Sequence, residues 1–179
     1  MQTENIGNLF KSKDLSKKII FVLIAIAAYR LGAAIPIPGV NPGALKSLFE
    51  ANKGGILGFL DIFSGGALGR LSIFSLGVMP YINASIIMSL VQGSHIFPYI
   101  ERLSKEGETG RRKITQITRI FTLLLATIQA IGLTLALNHM PVPGGMPIVY
   151  NPDFTFYLTA VFSMTTGTVL IMWIGEQIT

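Results

Sequence analysis

Few residues in this sequence are equipped for chemistry. Cysteine is absent, which removes disulfides, thiolate metal sites and thiol nucleophiles together. The two histidines, His95 and His139, are the only imidazoles available as metal ligands or general bases. Asp61, Asp153 and Glu176 border apolar stretches, where acid–base work would require a second carboxylate alongside. Gly65-Gly66-x-x-Gly69 has the look of a dinucleotide turn but no strand precedes it, and residues 101–119 lack the Gly-x-x-x-x-Gly-Lys spacing of a nucleotide loop. A different pattern stands out at helical spacing. Ile82, Ser85, Ile86, Ser89 and Gln92 share one face, mixing branched aliphatics with small polar groups, while Ala84, Met88 and Val91 lie opposite. Which of these groups can meet depends on the elements that carry them.

Half the residues are hydrophobic and 13% are charged, against roughly 25% charged in a soluble domain. With a mean hydropathy of +0.58, too few charges exist to cover a soluble core, and a membrane-spanning chain is expected. Charge-free stretches locate the spans: 71–100, 120–152 and 154–175, together with 19–35, interrupted only by Arg30. Each can hold the ~20 helical residues that a hydrocarbon core of ~30 Å requires. The pattern predicts an all-α, polytopic helical membrane protein with four transmembrane helices, at about 19–35, 79–98, 119–137 and 154–174. The first follows Lys11, Lys13, Lys17 and Lys18 and exits through Ile35-Pro36-Ile37-Pro38-Gly39, without the small-residue cleavage site of a signal peptide, so it reads as a retained anchor.

The remaining basic residues are Lys46, Lys53 and Arg70, then Arg102, Lys105, Arg111, Arg112, Lys113 and Arg119, with none after. By the positive-inside rule the 1–18 segment and the 101–119 loop are expected in the cytoplasm, the 36–70 and 138–153 segments outside, and Thr179 inside. The net charge of +5 reports this orientation and does not imply nucleic acid. His95 and His139 then fall at opposite membrane faces and the carboxylates near the interfaces. No metal site, cofactor or catalytic set is expected, and the chain does not read as an enzyme.

A continuous helix over 71–100 would be roughly 45 Å long, more than the core needs. Gly77 and Pro80 are the expected hinge, leaving a short helix around 67–76 and a spanning helix from 79. A break inside a membrane is tolerated only where protein or a water-filled cavity receives the freed backbone groups, so a cavity is expected beside it. The same reasoning applies to the 36–70 segment. Ile56, Leu57, Phe59, Leu60, Ile62 and Phe63 lie on glycine-interrupted backbone that lipid cannot accept, so the segment should fold back against protein. Taken alone, the serine-bearing face after the break reads as close helix packing. Taken with the break and the folded-back segment, it reads as a pore lining with an isoleucine constriction that gates by dewetting. Arg30 is expected to snorkel to the external headgroups. Arg70 would either bond nearby carbonyls or make an ordinary interface contact.

Several separated motifs, in order, resemble the SecY family of bacterial protein-conducting channel subunits. They are Tyr29-Arg30-Leu31-Gly32 with Ile35-Pro36-Ile37-Pro38-Gly39-Val40; Phe63-Ser64-Gly65-Gly66-Ala67-Leu68 through Met79-Pro80-Tyr81-Ile82; Lys105-Glu106-Gly107-Glu108-Thr109-Gly110-Arg111-Arg112-Lys113; and Met172-Trp173-Ile174-Gly175-Glu176-Gln177-Ile178-Thr179. The resemblance implies a channel of ten spans in two pseudo-symmetric halves, of which this chain supplies the first four. It implies a plug over about 63–76, carried by Phe63, Ser64, Gly65, Gly66, Ala67, Leu68, Gly69, Arg70, Leu71, Ser72, Ile73 and Phe74. Ile82 and Ile86 would belong to the pore ring, Gly77 and Pro80 to the hinge, and Ser85, Ser89 and Gln92 to the lateral gate and pore face. The implied partners are the remaining SecY spans, SecE and SecG, the SecA motor and the ribosome, signal sequences and nascent polypeptides, and membrane lipid, at the bacterial plasma membrane. From the residues themselves two readings stay beside this one, a small-solute transporter with a discontinuous helix and a structural subunit of a membrane complex. The uncharged midplane around Ile82, Asn83 and Ser85 favours bulky, varied cargo over a coordinated solute.

Overall fold

The computed structural model describes residues 13–94 and 97–178, with side chains from Leu15 onward. Its elements are helices: α1 (Lys13–Ala34), α2 (Pro42–Ala51), α3 (Ile56–Phe63), α4 (Met79–Ser94), α5 (Pro98–Lys105), α6 (Glu108–His139) and α7 (Phe154–Ile178). Among the described residues α6 and α7 are long and apolar enough to cross a membrane. Residues 1–12, which make up most of the expected N-terminal segment, and the His95 and Thr179 positions lie outside the described residues.

Local chemistry explains where the helices start. Asn41 Oδ1 accepts the Gly43 and Ala44 N–H groups at 3.0 and 3.3 Å, and Pro42 opens α2 where its missing donor costs nothing. Pro98 does the same for α5. Gly107, at φ +71°, makes the reversal between α5 and α6. Gly110 then lets the two helices touch, because a Cβ there would strike the Leu103 carbonyl.

The packing of α6 and α7 inverts the soluble pattern. The buried stripe of α6 is Gly110, Ile114, Thr118, Thr122, Ala126, Ala130 and Thr134, and that of α7 is Phe156, Ala160, Met164, Thr168 and Met172. Both run at four-residue intervals, the rows that interdigitate when helices pack ridge into groove. Small and hydroxyl residues face inward while Ile120, Leu124, Ile128 and Leu135 face out, as helix association within lipid favours. Thr118, Thr122, Thr134 and Thr168 hydroxyls each donate to the carbonyl one turn back, whereas Thr165 Oγ1, buried beside the α7 stripe, has no hydrogen-bond partner among the described residues. The two helices run antiparallel and are pinned at both ends. Arg119 holds Glu176 through two bonds of 2.8 and 2.6 Å at one end, and Asn138 Nδ2 donates to Tyr157 Oη at 2.9 Å at the other.

The 36–70 segment folds back as expected. Ile37, Val40, Leu45, Leu48, Leu68 and Leu71 are buried in one cluster with Leu137 of α6 and Phe156, Ala160 and Met164 of α7. It is tied to the second interhelical segment by backbone bonds, Asn41 N–H to Ile148 O at 2.7 Å and Tyr150 N–H to Gly39 O at 3.1 Å. The cover is incomplete. On α3, Leu57 and Leu60 reach the cluster, whereas Ile56, Phe59, Ile62 and Phe63 are exposed.

Two sequence expectations are corrected. No helix forms around 67–76; residues 64–78 are a succession of turns, and the helix lies upstream at Ile56–Phe63. The reason is glycine and serine chemistry. Gly65, Gly66 and Gly77 take positive φ, and Ser64, Ser72 and Ser75 hydroxyls bond nearby backbone groups that a helix would have used. The 101–119 stretch is not a loop either. It is α5, a tight turn and the first turns of α6, because Glu101 with Lys105 and Glu108 with Arg112 pair at i,i+4 on helix surface.

Candidate functional site

The turns at 64–78 sit between α1 and α7 and end where α4 begins. Asp61, in the last turn of α3, organises their start. Its carbonyl accepts the Gly66 N–H at 2.8 Å and the Ser64 hydroxyl at 3.0 Å, and its carboxylate accepts the Gly69 N–H at 2.6 Å. From α1, the Tyr29 hydroxyl donates to Ser64 O at 2.7 Å and Arg30 Nη1 to Gly65 O at 3.3 Å. Arg30 therefore bonds the turns as well as lying near the end of α1. Arg70, the other arginine weighed for this role, is exposed and lines an outer cavity of about 880 Å³ with Lys46, Glu50, Lys53 and Asp61.

The second part of the turns is enclosed. Phe74 is buried, stacked on Tyr29 with ring centroids 5.5 Å apart, and packed against Gly32 of α1 and Gly167 of α7. A Cβ at Gly32 would lie 2.7 Å from Phe74 Cδ2, and one at Gly167 2.9 Å from Phe74 Cδ1 and 2.8 Å from the Ile73 carbonyl carbon. Glycine is thus required at both places for the turns to seat. Ser75 Oγ donates to the Ser72 and Ala67 carbonyls, and Ile73 N–H bonds Ile35 O at 3.3 Å. Leu71, at φ +43°, holds a left-handed conformation that a leucine adopts only at a cost, and its carbonyl accepts the Ile37 N–H at 2.9 Å.

The expected break is longer than a hinge at two residues. Gly77 closes the last turn onto Phe74 O, and Pro80 is buried in the first turn of α4. Beside it lies a cavity of about 530 Å³ bounded by Ser64, Leu68 and Ser75 of the turns, Ile82 and Asn83 of α4, and Gln129 and Gly132 of α6. On α4, Ala84 and Met88 are buried, Met88 against Leu103 and Ile114, while Ile82 and Ile86 are exposed. Ser89 is exposed with them, but Ser85 and Gln92 are half-buried at the edge of that face. Of the turn residues, Ser64, Ala67, Leu68, Leu71, Ser72 and Phe74 are buried, Gly66, Gly69 and Ile73 half-buried, and Phe63, Gly65 and Arg70 exposed.

Among the described residues no group of three or more His, Asp or Glu could hold a metal ion. Sequence reasoning weighed Asp61 only for acid–base work and gave Gly32 and Gly167 no packing role. Gly32 and Gly167 matter only through the contact of distant helices, which no local pattern reveals. Asp61 could have been found as a carboxylate a few residues ahead of a glycine-rich turn, the usual acceptor for its loose N–H groups.

A family model described as SecY matches residues 72–179. Over 166 residues the chain is 49% identical to the protein translocase subunit SecY of Escherichia coli (strain K12), a match covering 93% of this chain and 37% of that protein. Its identity to the corresponding subunit of Aquifex aeolicus (strain VF5) is 44% over 178 residues, covering 99% of this chain and 41% of the relative. The chain therefore spans less than half the length of these relatives.

Proposed function

This chain belongs to the SecY family, and from that premise we propose that it builds the first four spans of a protein-conducting channel in the bacterial inner membrane. In that reading residues 63–76 form the plug, with Gly77 and Pro80 as the hinge to α4. Ile82 and Ile86 contribute to the pore constriction, and the edge of α4 carrying Ser85, Ser89 and Gln92 faces the lateral gate. The remaining wall comes from later SecY spans, with SecE and SecG as companion subunits and SecA or a ribosome delivering the polypeptide. Cytoplasmic termini, with 36–70 and 138–153 outside, follow from the basic residues.

The observation that carries the reading is the cavity at the break. It is bounded by the turns on one side and by Ile82 on the other, so one movement of the turns would open the space that Ile82 faces. Its lining is apolar apart from hydroxyl and amide groups, without a charge to hold a solute ion, which favours a polypeptide conduit over a coupled transporter. An apolar constriction conforms to any side chain through non-directional contacts of about 0.1–0.2 kcal/mol per atom pair.

The test places a photocrosslinker at Ile82, Ile86 or Ile87 in the full-length channel with a secretory chain stalled midway. Ile87 is exposed like the others but turned about 100–140° away from them on the helix. Capture should be at least about fivefold greater at Ile82 and Ile86; equal capture at all three would reject the assigned face.

A further inference from the structure

Resting on the reading of residues 63–76 as the plug, we infer that this segment is built in two parts divided at Leu71: residues 64–70 move, and residues 72–76 stay seated as a fixed wedge between α1 and α7. The two parts are held in different ways. Residues 72–76 are enclosed by backbone and glycine. Phe74 fills the space between Gly32 and Gly167, the Ile73 carbonyl rests on Gly167, and Ser72 bridges to Pro36. Leaving that seat would require α1 and α7 to part, because glycine surfaces have no side chain that can rotate aside.

Residues 64–70 are held chiefly by hydrogen bonds, three to Asp61 in the adjoining last turn of α3 and the others to groups that can let go. Tyr29 and Arg30 reach the Ser64 and Gly65 carbonyls by side chain alone. The Ala67 carbonyl is held by Ser72 N–H and Ser75 Oγ across the division. Three of these seven residues are glycine, Leu68 is the one large apolar anchor, and Ser64 and Leu68 already border the inner cavity. The joint itself is marked by strain. Leu71 is buried at positive φ, and rotation there relieves an unfavourable conformation as the first part leaves.

The experiment uses the full-length channel with its companion subunits in membrane vesicles. A Pro36→Cys/Ser72→Cys disulfide tethers the wedge across its backbone bridge, and a cleavable bifunctional thiol reagent joining Arg30→Cys to Gly65→Cys tethers the first part. The wedge tether should leave polypeptide transport within about twofold of the reduced protein. The first-part tether should lower it at least tenfold, with recovery on cleavage. Reversible block by both tethers would overturn the division while leaving the plug reading intact, and block by neither would remove the plug reading itself. A measurement on the unsubstituted channel guards against variants that do not fold. With a polypeptide stalled in transit, amide exchange at Gly66 and Gly69 should quicken at least tenfold while Ile73 and Phe74 keep their protection. Equal acceleration in both parts would refute the fixed wedge.

Discussion

Replacing Gly167 by alanine tests whether the seat of Phe74 governs closure. The added methyl would lie 2.8 Å from the Ile73 carbonyl carbon, closer still to its oxygen, and 2.9 Å from Phe74 Cδ1, where ordinary contact begins at about 3.4 Å. The first obstacle is backbone, which cannot turn aside like a flexible side chain, and the second is a ring already confined by Tyr29 and Gly32. The turns must shift outward by several tenths of an ångström. The overpacked wedge is present in both states, but its shift also draws Ser72 N–H and Ser75 Oγ off the Ala67 carbonyl. Only the closed state, with residues 64–70 in place, loses those two bonds of about 0.5–1.5 kcal/mol each, together about 1–3 kcal/mol. That is an increase of about 5- to 150-fold in the open population. Alanine also favours helix over glycine by ~1 kcal/mol, so Gly175→Ala, in open space further along α7, is the matched control for that gain. The assay is single-channel conductance of the full-length complex in a planar bilayer without substrate. Gly167→Ala should raise the open probability into that range and Gly175→Ala should not change it. Equal conductance of the two variants would show that the Phe74 seat does not control closure.

Tyr29→Phe keeps the stack on Phe74 and deletes the hydroxyl that holds Ser64 O; loss of a hydrogen bond of about 0.5–1.5 kcal/mol predicts a 2- to 10-fold rise in substrate-free conductance, and no rise would show that the bond does not hold the segment. For orientation, single cysteines at Ser104 and Gly145 of the full-length protein should differ toward an impermeant thiol reagent on intact cells, with Gly145 labelled and Ser104 protected; the reverse result would invert the topology.

How much was legible follows from the range of the forces involved. The apolar runs and scarcity of charge anticipate helices α1, α4, α6 and α7, because span length and hydropathy are local properties. The isoleucine face of α4 was likewise readable from a 100° turn per residue, and Ala84 and Met88 are indeed the buried side. Membership in the SecY family was legible in the motifs alone, since residue order survives without coordinates. The turns at 64–78 were not. A long charge-free run that had to break at Gly77 and Pro80 suggested a short helix over 67–76, yet hydroxyls of Ser64, Ser72 and Ser75 compete for the same backbone groups, and only the surrounding α1 and α7 decide that competition. The partnership of Gly32 with Gly167 lay beyond reach for the same reason. Glycines far apart in the chain become one site only when packing brings their helices around Phe74, so the composition of this sequence determined a helical membrane protein, and tertiary contact alone decided which residues hold its turns in place.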